Sequence, residues 1–259
     1  MRDFTGIQKL IRRNFYFYLL ARRFAPLLCR YFNLEDGFEF LSLITNVEGS
    51  IAIDVGSNDG TSIALISRNL KHADIYCFDP VRAPFFSRKM TNSISYFPFA
   101  LGDHVTDLRI FIPVVKGFSL TQYSSSNRKR ALNQLVHDLN LDAQQIVFKE
   151  DSMKVRVLDD FRLSPFFLKV DVEGDELKVL VGAAKTILDH LPIILVEIQG
   201  TEVYQQISSF LAKLDYYNFV PSDDKAKGWK NLQIQTEFIP KFNNYLWLPR
   251  QQSPSWNYK

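Results

Sequence analysis

The sequence has 259 residues, a net charge of +3 and 46% hydrophobic residues. This length suits one large domain or two small ones, and the apolar fraction is high enough to form a sizeable core. The charge is too low to indicate a nucleic-acid-binding protein, and the two cysteines are too few for a disulfide framework. We therefore expect a globular protein of a reducing compartment, the cytoplasm, with no nucleic-acid partner.

The N-terminal segment, residues 1–45, is predicted to be a mainly helical extension. It contains the stretch RRNFYFYLLARRF, in which pairs of arginines flank an aromatic run. Between the arginines, residues 14–21 are only eight in number, far short of the roughly 20 that a membrane-spanning helix needs. We expect this helix to pack on the domain, because it lacks a broad polar face. The alternative is a helix that lies on an anionic membrane surface.

From residue 51 onward, strands and helices alternate. The apolar run IAIDV is typical of a buried strand, and a helix follows over residues 61–70. Further strands are predicted in DIYCFDP and SISYFPFALGD, with a short helix over 84–90 between them. Residues 104–160 are predicted to be a less regular insertion with the strands DLRIFIPVV and MKVRVLDDF. Its segment KGFSLTQYSSSNRKR either covers a bound substrate or caps the helix that follows.

The alternation resumes with the strand FFLKVDV, a helix over 174–191 and the strand PIILVEIQG. The apolar stripe of that helix is predicted to consist of Leu177, Leu180, Val181, Ala184, Ile187, Leu188 and Leu191. After another helix, YYNFVPS and NNYLWLP are expected to pair antiparallel at the edge of the sheet.

These elements predict an α/β fold. We expect a Rossmann-like, doubly wound, seven-stranded and mostly parallel sheet with an antiparallel C-terminal edge strand, because strands separated by helices form parallel sheets. The predicted domain spans residues 46–250 and carries the N-terminal extension. Residues 251–259 are predicted to be a loose tail.

Acidic residues follow the predicted strands. Ligands of open α/β sheets bind beyond the carboxyl ends of the strands, so these side chains are expected to lie along one edge. They are Asp54, Asp79, Asp103, Asp171 with Glu173, and Glu197.

The loop after the first strand, GSNDG, has two glycines four apart instead of the G-x-G-x-x-G spacing of dinucleotide sites. We expect Gly56 to allow a tight turn and close approach of a ligand, and Gly60 to leave room for the next helix. Asp59 at the helix start is expected to repel a phosphate. Asp79, which comes 25 residues after Asp54, is placed to accept hydrogen bonds from a ribose. The pattern favours a nucleoside with a cationic tail and no phosphate, S-adenosylmethionine, over an ordinary tight turn.

The sequence resembles the FkbM-type methyltransferases, which are class I S-adenosylmethionine-dependent enzymes. The resemblance covers about residues 47–250, and its most specific part is KVDVEGDE followed by LVGA. Its other segments are IAIDVGSNDG, FDP, FALGD, VRVLDDF and PIILVEIQG. Two departures stand out: Asp79 replaces the usual Glu, and the first loop reads GSNDG where the family often has Gly-Ala-Asn-x-Gly.

The resemblance implies methyl transfer to a hydroxyl of a glycan or secondary metabolite. Asp171 and Glu173 would face the methyl group and the acceptor. The residues implied to bind the cofactor are Asp54, Gly56, Ser57, Asn58, Gly60, Thr61, Phe78, Asp79, Ala100, Leu101, Asp103 and Asp171.

An alcohol becomes a good nucleophile only as it loses its proton, so a general base is expected. The candidates are Asp171, Glu173 and Glu197, with Glu202 as a further one; His104 is expected to be a surface residue. The three leading acids are also compatible with a Mg²⁺ or Ca²⁺ site, but we expect no metal because no further ligand can be placed. The alternative functions are a nicotinamide-dependent oxidoreductase and a non-catalytic binding module on the same fold.

Overall fold

The computed structural model describes residues 14–29, 37–43, 49–80, 93–221, 232–234, 236–239 and 243–250. The helices are α1 (Phe15–Leu28), α2 (Thr61–Asn69), α3 (Arg128–Leu139), α4 (Glu176–Val181), α5 (Ala184–His190) and α6 (Thr201–Lys213). The strands are β1 (Ile51–Val55), β2 (Asp74–Phe78), β3 (Ile94–Phe97), β4 (Ala100–Leu101), β5 (Thr106–Val115), β6 (Phe118–Ser119), β7 (Ile146–Arg156), β8 (Pro165–Val170), β9 (Ile193–Glu197), β10 (Tyr216–Pro221), β11 (Leu232–Ile234) and β12 (Asn244–Pro249).

The main sheet has eight described strands in the order β11-β10-β12-β9-β8-β1-β2-β3. β3, β2, β1, β8 and β9 pair in parallel, and β12 runs antiparallel to both β9 and β10. The α/β prediction is confirmed, and so is the antiparallel pairing of the last two predicted strands. The seven-stranded sheet with that pair at its edge is wrong. All six residues of β12 are buried, so this apolar strand lies inside the sheet, and the three-residue β11 takes the edge.

The predicted central insertion forms a second sheet with the order β4-β7-β5-β6. The strand predicted in DLRIFIPVV is β5, which pairs antiparallel with β7 over ten positions, from Thr106↔Val155 to Val115↔Ile146. The single strand predicted in SISYFPFALGD is instead divided between the two sheets as β3 and β4. Pro98 lies at the division, where its missing N–H cannot continue a strand ladder.

The core lies on both faces of the main sheet. Neighbouring residues of β1 alternate between two buried clusters: Ala52 packs with Ile75 on one face, and Ile53 packs with Phe78 on the other. A third cluster joins α1 to the second sheet and α3, so the expected packing of the N-terminal helix on the domain is observed. Within the described residues, no helix is long and apolar enough to cross a membrane.

The helix predicted over 174–191 is interrupted between α4 and α5. A Cβ at Gly182 would overlap the Gly102 carbonyl, so the chain passes close to the loop after β4 at this point. Asp159 caps the new helix by accepting hydrogen bonds from the Thr186 N–H at 2.8 Å and the Thr186 hydroxyl at 2.7 Å. The break changes the phase of the apolar stripe. Two of its predicted members, Val181 and Leu188, are exposed.

Three predictions lie outside the described residues: the helix over 84–90, the tail 251–259 and the N-terminal extension before residue 14. The boundaries predicted for the extension, the domain and the tail stay predictions.

Candidate active site

The first loop (residues 56–60) is fixed by close contact with the end of β8. Gly56 has φ +84°, its N–H donates to the Phe78 carbonyl at 2.9 Å, and a Cβ there would overlap the Asp171 carbonyl oxygen. The close approach expected of Gly56 is therefore made to the protein's own backbone. This contact brings the end of β1 against the end of β8, as the series of strand-end acids predicted.

A buried lysine holds the two loops together. The Lys169 Nζ lies 3.0 Å from Asp171 Oδ2, 3.5 Å from Asp54 Oδ1 and 3.3 Å from the Gly56 carbonyl oxygen. Asp54 is fully buried and accepts a 2.6 Å hydrogen bond from Ser62. Burial raises the pKa of Asp54, and Lys169 is the main group that opposes this shift. Sequence reasoning missed Lys169, although a lysine within the apolar run FFLKV was a signal of a buried ion pair.

Asp79 faces the same loop from the end of β2. It is buried, and its Oδ2 accepts a hydrogen bond from the Asn58 N–H at 2.8 Å. The Tyr96 hydroxyl donates to its backbone carbonyl. The Asn58 side chain in turn accepts a hydrogen bond from Thr121 at 3.2 Å. The second-sheet region thus reaches the first loop. Of the two roles predicted for the segment around Thr121, the helix cap is observed at Asn127, which accepts a hydrogen bond from the Arg130 N–H at 3.1 Å, and the covering of a substrate stays a prediction.

Two hydroxyls of the first loop and helix α2 are buried without a partner among the described residues. They are Ser57 Oγ and Thr61 Oγ1. Unpaired buried polar atoms are rare and costly, and a bound polar ligand is one way to satisfy them. Asp59, by contrast, pairs with Arg22 of α1. Because Arg22 neutralises the charge of Asp59, the predicted repulsion between Asp59 and a phosphate is weakened.

Several predicted cofactor residues make contacts within the protein. The Phe78 side chain stacks on Phe97 at 4.8 Å, and Leu101 is buried in the same cluster. Ala100 pairs with β7. Asp103 is largely exposed and contacts His104, whose hydrogen bond lowers the pKa of Asp103. These contacts do not test the predicted roles, which stay predictions, while the exposed side chain of His104 agrees with the surface position expected for it.

Glu173 lies beyond the end of β8 and differs from its acidic neighbours. Its backbone has φ +58°, its Oε2 is buried without a partner among the described residues, and it lines a cleft of about 570 Å³. Burial, reinforced by the charge of Asp171, raises the pKa of Glu173 to about 8. A hydrogen bond from Gln134 and the charge of Arg130 oppose this shift only in part.

The acids after Glu173 support the loop. Glu176 accepts hydrogen bonds from the Gly174 N–H at 2.8 Å and the Val172 N–H at 3.3 Å, and Asp175 pairs with Lys178 at 2.7 Å. Both therefore have structural partners. Glu173 differs from them, because its Oε2 has no partner among the described residues.

Glu197, at the end of β9, lines a second cleft of about 810 Å³ with Gln199 and Asn243. The two clefts share three residues of the α3 N-terminus: Asn127, Lys129 and Arg130. Glu202 is exposed in the first turn of α6. In the part of the chain that the structure describes, no group of three His, Cys, Asp or Glu side chains could hold a metal ion.

Comparison with known proteins identifies a family. The model of the Methyltransferase FkbM domain matches residues 54–221. A methyltransferase FkbM from Methylobacillus flagellatus KT is structurally similar, with a TM-score of 0.48 and 14% identity over 95% of this chain and 59% of that one. The chain thus spans little more than half of that protein's length. The precorrin-6y C5,15-methyltransferase of Geobacter metallireducens GS-15 matches with a TM-score of 0.34 and 10% identity over 81% of this chain and 82% of that one.

No curated protein matches the chain. The FkbM match covers well over half of the sequence and includes the first loop, Asp79 and the Lys169–Glu173 region. The chain therefore belongs to the FkbM methyltransferase family.

Proposed function

We propose that the protein transfers a methyl group from S-adenosylmethionine to a hydroxyl oxygen of a glycan or secondary metabolite. Glu173 is the observation that carries this proposal. It is a carboxyl group with a pKa of about 8, it lines an open cleft, and one of its oxygens has no partner among the described residues. A base with a pKa near the working pH is suited to accept a proton from an alcohol.

The first loop supports S-adenosylmethionine as the cofactor. Ser57 and Thr61 have buried hydroxyls without partners among the described residues, and the carboxylate of Asp79 lies at the end of β2. These groups suit the hydroxyls and charged tail of a nucleoside. When bound, this cofactor supplies an electrophilic methyl group on a sulfonium.

The protein's own part in the reaction is positioning and proton transfer. Gln134 holds the Glu173 carboxylate by a hydrogen bond, and Ser125 donates to the Glu173 backbone carbonyl at 3.2 Å. Glu173 accepts the proton of the acceptor hydroxyl while the oxygen forms its bond to carbon and the carbon–sulfur bond breaks. Holding acceptor and base in this arrangement supplies much of the rate increase.

Calorimetry with S-adenosylmethionine and its demethylated product tests the cofactor. We expect both to bind, and Asp79→Asn to weaken binding by about tenfold, because a charged hydrogen-bond acceptor is lost. Asp107→Asn removes an exposed acid and serves as the control. Reduced nicotinamide dinucleotide is expected not to bind. If neither S-adenosylmethionine nor its product binds, the proposal is wrong.

We also propose that α1 contacts an anionic lipid surface. Its sequence FYFYLLARRFAPLL has no acidic residue, Arg23 is exposed, and the Lys116 Nζ lies 5.2 Å from the Tyr16 ring. Apolar side chains that are exposed on an amphipathic helix with basic flanks suit the interface of an anionic bilayer. The exposed apolar residues are Tyr16, Phe17, Leu20, Phe24 and Leu28. A chain with only two cysteines suits a reducing compartment such as the cytoplasm.

Flotation with vesicles that contain anionic lipid tests this contact. The full chain should float with these vesicles and not with neutral ones, and Phe17→Ser/Phe24→Ser should abolish flotation. Leu188→Ser removes a similarly exposed apolar side chain from α5 and is expected to change nothing. Equal flotation of all variants, or of none, would refute the proposal.

A further inference from the structure

The cleft beside Glu173 has an unusual lining. It holds about 570 Å³ between the first turn of α3 and the loop after β8, and polar and charged side chains dominate it. Three consecutive cations, Arg128, Lys129 and Arg130, belong to that first turn. No acidic residue lies in the turn to balance them. Cations at a helix N-terminus are unfavourable, because the helix dipole is positive there.

Two other charged residues of the cleft, Lys178 and Asp175, are paired with each other. Lys178 contacts Asp175 at 2.7 Å, and Ser126 donates to the other oxygen of Asp175 at 2.9 Å. The Arg130 guanidinium lies against Gly174, and its charge acts on Glu173 and Glu176. The charge of Arg130 thus acts on two acids of the protein itself, Glu173 and Glu176.

Arg128 and Lys129 differ from these residues. The Arg128 guanidinium forms a cation–π contact with the Phe148 ring at 5.0 Å, and Lys129 is exposed. Neither forms an ion pair with a described acid. Their own N–H groups have no partner within the helix, since the Asn127 side chain caps only the Arg130 N–H, at 3.1 Å. Arg128 and Lys129 thus belong to the helix N-terminus that lines one end of the cleft.

The same cleft contains a second polar group without a partner. Oε2 of Glu173 is buried and accepts no hydrogen bond from a described residue. Ser125 joins the two ends, because it donates to the Glu173 carbonyl and accepts from the Asn127 N–H at 3.1 Å. Ser125 thus links the turn that carries the cations to the loop that carries the Glu173 carboxyl group. The cleft between them can hold a small ligand.

We propose that the acceptor carries an anionic group, a phosphate or a carboxylate, that binds Arg128 and Lys129 while its hydroxyl faces Glu173. This inference rests on the proposed function, because it assigns the cleft to the acceptor. Guanidinium and ammonium groups with free N–H donors bind both anions well. The acceptor class is therefore an acidic sugar or a phosphorylated hydroxyl compound.

Binding of simple sugars tests the proposal with the full chain. The probes are glucose 6-phosphate, glucuronate and uncharged glucose, measured by calorimetry or by NMR titration. At least one anionic sugar should bind about tenfold more tightly than glucose, because charge-assisted hydrogen bonds contribute the difference. Glucose 6-phosphate and glucuronate distinguish a phosphate from a carboxylate site.

Arg128→Gln/Lys129→Met should remove this preference, while Arg109→Gln/Lys154→Met removes two exposed cations of the second sheet as the matched control. Lys129→Met alone, at an exposed position, should reduce the preference even if the double variant fails to fold. Equal binding of all three sugars, or a preference that survives in the variants, would overturn the inference.

Calorimetry with S-adenosylmethionine on the same samples separates the two proposals. Cofactor binding without an anion preference rejects only the acceptor class. An anion preference without cofactor binding rejects the proposed function and leaves an anion-binding cleft.

Discussion

The two halves of the candidate site handle buried charge differently. At the ends of β1 and β8, Lys169 lies between Asp54 and Asp171, and every one of the three has a charged partner. Two residues further along the chain, Oε2 of Glu173 is buried, but Glu173 has no cation at a similar distance among the described residues. In the first arrangement the Lys169 charge opposes the rise that burial causes in the pKa of Asp54. In the second, burial and the Asp171 charge raise the pKa of Glu173, which suits a carboxyl group that gains and loses a proton.

This comparison distinguishes the candidate bases. Asp171 lies two residues before Glu173, and Lys169 holds its carboxylate at 3.0 Å. The charge of Asp171 helps to raise the pKa of Glu173. In the proposed reaction, Asp171 is therefore assigned as a positioning residue, and Glu173 as the proposed base that exchanges a proton with the acceptor.

The largest expected effect comes from removing Lys169, the cation that lies between Asp54 and Asp171. Lys169→Met would leave the buried Asp54 and the partly exposed Asp171 without their cation, and loss of one member of a buried pair such as Lys169–Asp54 costs about 3–5 kcal/mol. Chemical denaturation should show this loss in the free energy of unfolding. Lys154→Met is the control, because its pair with Asp107 is exposed and is expected to contribute about 0–1 kcal/mol. Equal losses in both variants would remove the distinction between the halves.

The next effect concerns the catalytic role proposed for Glu173. Glu173→Gln should lower the rate of methyl transfer by about 10²-fold or more, because general-base catalysis is lost. Binding of S-adenosylmethionine, measured by calorimetry, should stay unchanged. In the unaltered protein the rate should rise with pH through about 8, as Glu173 loses its proton. Glu150→Gln, an exposed acid of β7, is the control. An unchanged rate in Glu173→Gln would assign the base elsewhere, with Glu197 next.

The same carboxyl group should also make the stability of the protein depend on pH. The pKa of Glu173 is about 8 in the folded protein and near 4.5 when the chain is unfolded. Between these values the folded state binds more protons than the unfolded state, so the contribution of Glu173 is full below about pH 4.5 and falls as pH rises through 8. The free energy of unfolding of the unaltered protein should therefore decline over this range relative to Glu173→Gln. A difference that stays constant with pH would show that Glu173 is not shifted.

Much of the site could be predicted because it depends on local patterns. Apolar runs that end in acids located β1, β2, β8 and β9, and parallel pairing brings their ends to one edge. The parts that could not be predicted depend on contacts between distant residues. The helix break at Gly182 follows from contact with Gly102, and the role of Lys169 follows from carboxylates on two strands. The position of β12 within the sheet likewise depends on burial by neighbours that are remote in sequence.

The smallest expected effect concerns the link between α1 and the first loop. Arg22 of α1 pairs with Asp59, at a site where both side chains are partly exposed, so the pair should contribute about 0.5–1 kcal/mol. Arg22→Met should weaken S-adenosylmethionine binding only a few-fold, since Asp79 continues to hold the Asn58 N–H at 2.8 Å. The exchanged pair Arg22→Asp/Asp59→Arg should restore part of the lost affinity, and calorimetry on the single and double variants measures this coupling. Additive losses would mean that α1 and the loop act independently. Recovery would show that α1, the helix proposed to contact lipid, also supports the first loop. The charged pairs around that loop would then extend to Arg22 of α1.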